Sequence, residues 1–270
     1  MSTGFADING ARLYYEVAGE GPALVLLHAG ICDSRMWDDQ FAAFAKHYRT
    51  VRYDLRGYGQ SNPVAGRFAH YEDLRALLDH LGIERAYLIG VSFGGMIAID
   101  FTLTYPQRVA GLILVGTGVD GYYNPAITEP AEAEEAQKAF DAGDFERAAE
   151  LEVRVWVDGP QRQPEQVHAA IRDKVRAMNL IALRNLASRM GKAERLDPPA
   201  AKRLDELRAP LLLIIGDLDQ PEVDDVGAFL TGQVPAAQKI VMSGTAHLPN
   251  MEQPSQFNRH VLDWLGAQAG

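Results

Sequence analysis

Apolar positions along this chain follow two rhythms that take turns. Short unbroken apolar runs, Ala23-Leu24-Val25-Leu26-Leu27 and Leu211-Leu212-Leu213-Ile214-Ile215 among them, have the length and character of strands covered on both faces. Residues 50–53, 86–89, 109–115 and 239–242 read the same way, and residues 11–17 read as a strand after an Asn9-Gly10 turn, so the chain opens with a hairpin. Helix-period segments lie between the runs, at residues 36–46, 71–81, 222–230 and 254–265, with another beginning near Met96. Alternation of this kind predicts a mainly parallel sheet with helices on both faces.

The rhythm breaks between residues 120 and 200. That stretch holds no convincing buried strand. It holds charged, Ala-rich, helix-period segments at 132–142, 145–157, 164–179 and 181–190, closed by Pro198-Pro199. The pattern predicts a core made of residues 1–119 and 201–270, with residues 120–200 inserted as a helical lid after the sixth strand. A long excursion at the edge of a site is often a binding element.

A length of 270 residues, 47% of them hydrophobic, suffices for one large domain with such an insertion. The net charge of −10 disfavours nucleic acid and anionic membrane surfaces as partners. The one cysteine, Cys32, excludes an intramolecular disulfide and reads as a small buried thiol. The first residues lack the basic start and apolar middle of a signal peptide, and no run is long enough to cross a bilayer, so a cytoplasmic location is expected. A homodimer is compatible with this composition. Neither a metal-ligand spacing nor a nucleotide-binding glycine fingerprint is present, so no metal and no cofactor are expected.

Chemistry enters at Gly90-Val91-Ser92-Phe93-Gly94. The motif sits between a strand-like run and a helix-like run, so the chain must turn sharply at Ser92 and needs small residues two positions either side. Such a turn presents the hydroxyl at the carboxyl end of a strand, beside a helix N-terminus that favours negative charge. A serine hydroxyl needs a base. In a strand–turn–helix fold of this kind the order is Ser, then acid, then His, which leaves His168, His247 and His260. His168 lies in a charged lid helix and His260 in the last helix. His247 ends a small-residue loop, Ser243-Gly244-Thr245-Ala246, directly after the last strand, and is the best base. Asp219, in a turn after the run at 211–215, is the best acid, with Asp217 and Asp120 as rivals. The N–H of Phe93 and that of Gly30, in the loop after the run at 23–27, are the candidate oxyanion donors. Ile31, Met96, Trp156 and Leu248 are candidate substrate-binding residues, and Val157, Met178, Leu180 and Ile181 are further lid candidates. A mostly apolar lining predicts an uncharged ester of small or medium size.

With these residues in hand the chain resembles the α/β-hydrolase fold family, in particular its lidded serine esterases, enol-lactonases and haloperoxidase-like members. The resemblance is carried by Gly90-Val91-Ser92-Phe93-Gly94-Gly95, His28-Ala29-Gly30, Asp54-Leu55-Arg56-Gly57-Tyr58-Gly59-Gln60-Ser61, Gly216-Asp217-Leu218-Asp219 and Gly244-Thr245-Ala246-His247. It implies an eight-stranded, mainly parallel sheet with a helical lid. It also implies the nucleophile at Ser92, the acid at Asp219 and the base at His247. Asp54 and Arg56 would tie loops together behind the site. The resemblance implies a cofactor-free serine hydrolase acting on small ester or lactone substrates through an acyl-enzyme (EC 3.1.1-type). Carbon–carbon bond hydrolysis and peracid formation use the same triad, and a small-molecule receptor is the alternative from another class. One departure is Ala29, where the family's oxyanion loop usually has glycine; alanine does not adopt positive φ cheaply, so a slightly different loop shape is expected.

Overall fold

A computed structural model describes residues 1–188 and 190–268. Eight strands form one sheet: β1 (Ser2–Ile8), β2 (Ala11–Ala18), β3 (Ala23–Leu27), β4 (Arg49–Tyr53), β5 (Ala86–Val91), β6 (Val109–Val115), β7 (Leu211–Gly216) and β8 (Gln238–Met242). Their order is β1-β2-β4-β3-β5-β6-β7-β8. β1 pairs antiparallel with β2, and β2 with β4; every other pairing is parallel. The carboxyl ends of β3, β5, β6, β7 and β8 therefore open on the same edge.

The unbroken apolar runs have a simple cause. Side chains alternate across a strand, so a strand buried on both faces needs apolar residues at every position. Val25, Leu27, Leu88, Leu112, Leu114, Leu211 and Leu213 enter one core, against helices α2 (His70–His80), α3 (Phe93–Thr104) and α7 (Pro221–Gln233). Leu24, Leu26, Ile89, Val91, Ile113, Val115, Leu212 and Ile214 enter the other, against α1 (Asp38–Phe44) and the C-terminal helix Pro254–Gln268.

Between β6 and β7 lie α4 (Ala131–Asp141), α5 (Phe145–Val153) and α6 (Ala169–Ala187). Ala148, Ala149 and Leu183 make a small core of their own, while Val153, Val157, Val175 and Met178 join the second sheet core. This segment differs from the sequence expectation in two ways. The segments at 164–179 and 181–190 are one helix from 169 to 187, because Leu180-Ile181 contains nothing that breaks a helix; Pro164–Gln166 is a separate single turn. After α5 the chain widens into a π-type turn, Arg154–Asp158, that ends at Gly159 with φ of 75°. A two-residue parallel pairing of Arg67–Phe68 with Lys192–Ala193 fastens the end of this region to the loop before α2.

Candidate active site

Ser92 follows β5 and caps α3. Its φ and ψ are 52° and −115°, and among the described residues only Asn9 shares a positive φ without being glycine. Holding such a conformation costs on the order of 1–3 kcal/mol. The neighbours that impose it are visible. The Ser92 N–H donates to the Val115 carbonyl at 2.8 Å, and the Ser92 carbonyl accepts from Gly95 and Met96. A Cβ on Gly90 would lie 2.6 Å from the Gly95 Cα, and one on Gly94 would lie 2.5 Å from the Leu27 carbonyl oxygen. The two glycines are thus a packing requirement of the turn.

The neighbouring strand ends supply the remaining groups. β7 ends at Gly216 and turns through Asp217-Leu218-Asp219; β8 ends at Met242 and leads to His247. Leu218 N–H donates to the Thr245 carbonyl at 2.9 Å, which fastens the two loops together. His247 Nδ1 lies 2.9 Å from Asp219 Oδ2 and 3.1 Å from Oδ1, and the pair is buried. A carboxylate only accepts, so in the neutral imidazole Nδ1 carries the proton and Nε2 the lone pair. Asp219 Oδ1 also accepts the Gln220 N–H at 2.7 Å. Gly116 packs beneath the couple: a Cβ there would lie 3.1 Å from His247 Nδ1 and 3.4 Å from Asp219 Oδ2. Gly116 directly follows Val115, whose carbonyl holds Ser92. Ser92, Asp219 and His247 therefore gather around the end of β6.

The rival carboxylates are engaged elsewhere. Asp217 accepts from Ser243 Oγ and from the Gly244 N–H, at 2.8 and 2.6 Å, and so shapes the loop that carries His247. Asp120 pairs with Arg195 at 3.3 Å. His168 caps α6 through the Ala170 N–H, and His260 stays within its own helix beside Gln256.

Gly30 lies against Phe93, since a Cβ on Gly30 would meet the Phe93 Cβ at 3.4 Å. Among the described residues neither the Gly30 nor the Phe93 N–H donates to a protein group. Ala29 does not adopt a positive φ, so the alanine introduces no backbone strain. Its carbonyl lies 2.8 Å from His28 Nδ1, while His28 Nε2 accepts the Leu55 N–H at 3.0 Å. Burial pushes the His28 imidazole below its usual range and pushes the Asp54 carboxyl above its own. Asp54 accepts the Ser34 and Gln60 N–H groups, and Arg56 makes a two-pronged pair with Asp73 at 2.9 and 2.8 Å. The 54–61 loop is thus a buttress behind His28.

Trp156, in the π-type turn, tilts against His247 with ring centroids 4.5 Å apart. It also lines a cavity of about 240 Å³ with Tyr122, Ile127 and Gln220. Met96 lies against Gly118. Ile31 and Leu248 are buried in the second core, Leu248 completely, so Leu248 backs the wall of the site rather than facing a cavity. Sequence reasoning missed two participants. Gln220 holds the Val155 carbonyl at 2.7 Å, joining the Asp219 turn to the Trp156 turn. Arg162 bonds Glu252 at 2.5 Å and the Val157 and Asp158 carbonyls, and Glu252 in turn accepts the Ala246 N–H at 2.7 Å. Among the described residues no three His, Cys, Asp or Glu side chains are placed to hold a metal ion, and no helix is long and apolar enough to cross a membrane.

A family model described as alpha/beta hydrolase fold matches residues 22–254. A 2-hydroxy-6-oxononadienedioate/2-hydroxy-6-oxononatrienedioate hydrolase from Paraburkholderia phymatum is 31% identical, over 94% of this chain and 91% of its own length. A pimeloyl-[acyl-carrier protein] methyl ester esterase from Yersinia enterocolitica is 27% identical, over 94% and 97%. The crystal structure of an esterase from Rhodococcus sp. ECU1013 superposes with a TM-score of 0.78 at 25% identity, covering 99% of this chain and 100% of the other.

Proposed function

From the premise that this chain belongs to the α/β-hydrolase family, we propose that it hydrolyses carboxylic esters or lactones with Ser92 as nucleophile. The observation that carries the reading is the buried Asp219–His247 pair, whose Nε2 bonds no protein group among the described residues, gathered with Ser92 around the end of one strand. His247 Nε2 takes the Ser92 proton as Oγ attacks the carbonyl carbon. Asp219 holds the imidazole in that tautomer and stabilises its cation. The negative charge on the carbonyl oxygen falls to the N–H groups of Phe93 and Gly30, each worth about 3 kcal/mol in comparable sites. His247 then returns the proton to the leaving oxygen, and a water deprotonated by the same imidazole releases the acid. Residues 120–200 serve as a lid, and Trp156 walls the site on the His247 side.

The 31% relative favours a second reading, carbon–carbon bond hydrolysis by the same groups. Charge separates the two. The substrate in that relative's name is a dioate, with two carboxylates to be neutralised. Among the described residues, Arg154 is already committed to Asp158, Arg162 to Glu252, Arg172 to Asp158 and Glu150, and Arg195, beside Phe93, to Asp120. An uncharged ester or lactone fits such surroundings better than a dianion. The test is turnover of a panel of short p-nitrophenyl esters, lactones and a 2-hydroxy-6-oxo-dienoate by the wild type and by Ser92→Ala. Ester or lactone turnover that Ser92→Ala abolishes is the expected result. Cleavage of the dienoate alone would overturn the ester reading.

A further inference from the structure

A second cavity, about 190 Å³, shares Phe93 with the candidate site and has Tyr58, Phe68, His70, Asn185 and Met190 in its other walls. Its polar groups are mostly spent. Asn185 donates to the Gly57 carbonyl, and Arg56, also at its edge, is held by Asp73. The exceptions are the Tyr58 hydroxyl, which makes no hydrogen bond to the described residues, and His70. His70 opens α2, is only 9% exposed, and stands edge-on between Phe68 and Phe93, with centroids 5.0 and 5.2 Å away. Nδ1 is sealed from solvent without a partner, and among the described residues neither ring nitrogen bonds a protein group. Burial first, then Arg56, push its pKa down to about 3, so the ring is neutral and offers one donor and one acceptor.

We propose that this cavity is a binding site for a flat, ring-sized, uncharged group bearing one hydroxyl or carbonyl, and that His70 reads that polar atom through Nε2, since the sealed Nδ1 does not face the cavity. The size follows from volume: a cavity of about 150 Å³ accepts benzene, so this one accepts a ring with a substituent. The aromatic walls suit a flat group. The proposal rests on the reading of Ser92 and His247 as nucleophile and base, which also fixes which half of the substrate enters. The leaving oxygen must lie within reach of His247 Nε2, on the Trp156 side. The acyl half then extends past Phe93 toward His70.

The test is binding first and turnover second. Phenylacetone and 4-hydroxyphenylacetone are titrated into the wild type and into the variants His70→Phe and His70→Gln, with the fold of each checked by its melt. On the wild type, ¹⁵N shifts of the His70 ring are also followed. The expected result is a Kd about tenfold tighter for the hydroxylated ketone, a shift at a His70 nitrogen, a ratio near one in His70→Phe, and partial return of the preference in His70→Gln. An unmoved His70 signal together with equal affinities in the wild type overturns the proposal, whether or not either variant folds. The matching p-nitrophenyl esters, phenylacetate and 4-hydroxyphenylacetate, then distinguish the two layers. His70-dependent binding without ester turnover leaves the cavity assignment standing and overturns the hydrolase reading instead.

Discussion

Replacing Asp219 by asparagine should cost far more activity than the loss of one charge suggests, and the reason can be followed atom by atom. Asp219 Oδ1 is committed to the Gln220 N–H at 2.7 Å. An asparagine at this position keeps its carbonyl oxygen there, because a backbone N–H must have an acceptor, and so places its NH₂ where Oδ2 was, 2.9 Å from His247 Nδ1. Two donors would then face each other. The imidazole escapes by moving its proton to Nε2, the nitrogen that must take the proton of Ser92. The expected fall in kcat is about 10⁴-fold, the size found when a triad histidine is held in the wrong tautomer, or about 5.5 kcal/mol of barrier. Asp217→Asn is the matched control. It removes one of two acceptors for Ser243 and Gly244, worth about 1 kcal/mol of stability, and should leave kcat within about tenfold. The assay is burst and steady-state kinetics on p-nitrophenyl acetate, with ¹⁵N spectra of His247 to identify its tautomer. Asp219→Asn within tenfold of wild type, or equal losses in the two variants, would refute the reasoning.

Two further outcomes follow from buried charge. Asp100, on α3, is 6% exposed with Oδ1 unpartnered, and burial and Asp120 raise its pKa to about 7 against the pull of Arg195 and Arg203. The native state therefore keeps a proton that the unfolded chain, with a carboxyl near 4, releases. Stability should fall as pH rises from about 4 to about 7, and Asp100→Asn should flatten that slope and raise Tm at pH 8 by several degrees; parallel slopes in thermal melts from pH 5 to 8 would contradict this. Arg162→Ala should leave Glu252 buried without its cation and loosen both the Trp156 turn and the loop before His247, lowering kcat/KM about 10-fold or more; Arg162→Lys, which keeps the charge, should recover part of it, and an unchanged kcat/KM in Arg162→Ala would count against the bridge.

What could be read from the chain divides along the line between local and distant causes. The runs at 23–27, 109–115 and 211–215 declared themselves because a strand buried on both faces leaves no room for a polar position. Ser92 declared itself because Gly90 and Gly94 answer a clash that arises within five residues. Asp219 was harder. Three carboxylates stood at strand ends, and their separation depends on partners remote in sequence: Ser243 and Gly244 for Asp217, Arg195 for Asp120. The continuity of α6 was obscured by dividing a charged stretch that in fact holds no breaker. Arg162 and His70 were illegible for a related reason. An arginine in a polar lid and a histidine at a helix start look solvated until Glu252, or Phe93 from another helix, closes over them.

The central claim, that Ser92 is the activated nucleophile, is tested most directly by treating the folded protein with a serine-directed fluorophosphonate and mapping the adduct by mass spectrometry. The account predicts one adduct per chain, on Ser92, with labelling slowed strongly in His247→Ala. An adduct on another residue, or none on the folded wild-type protein, would contradict it.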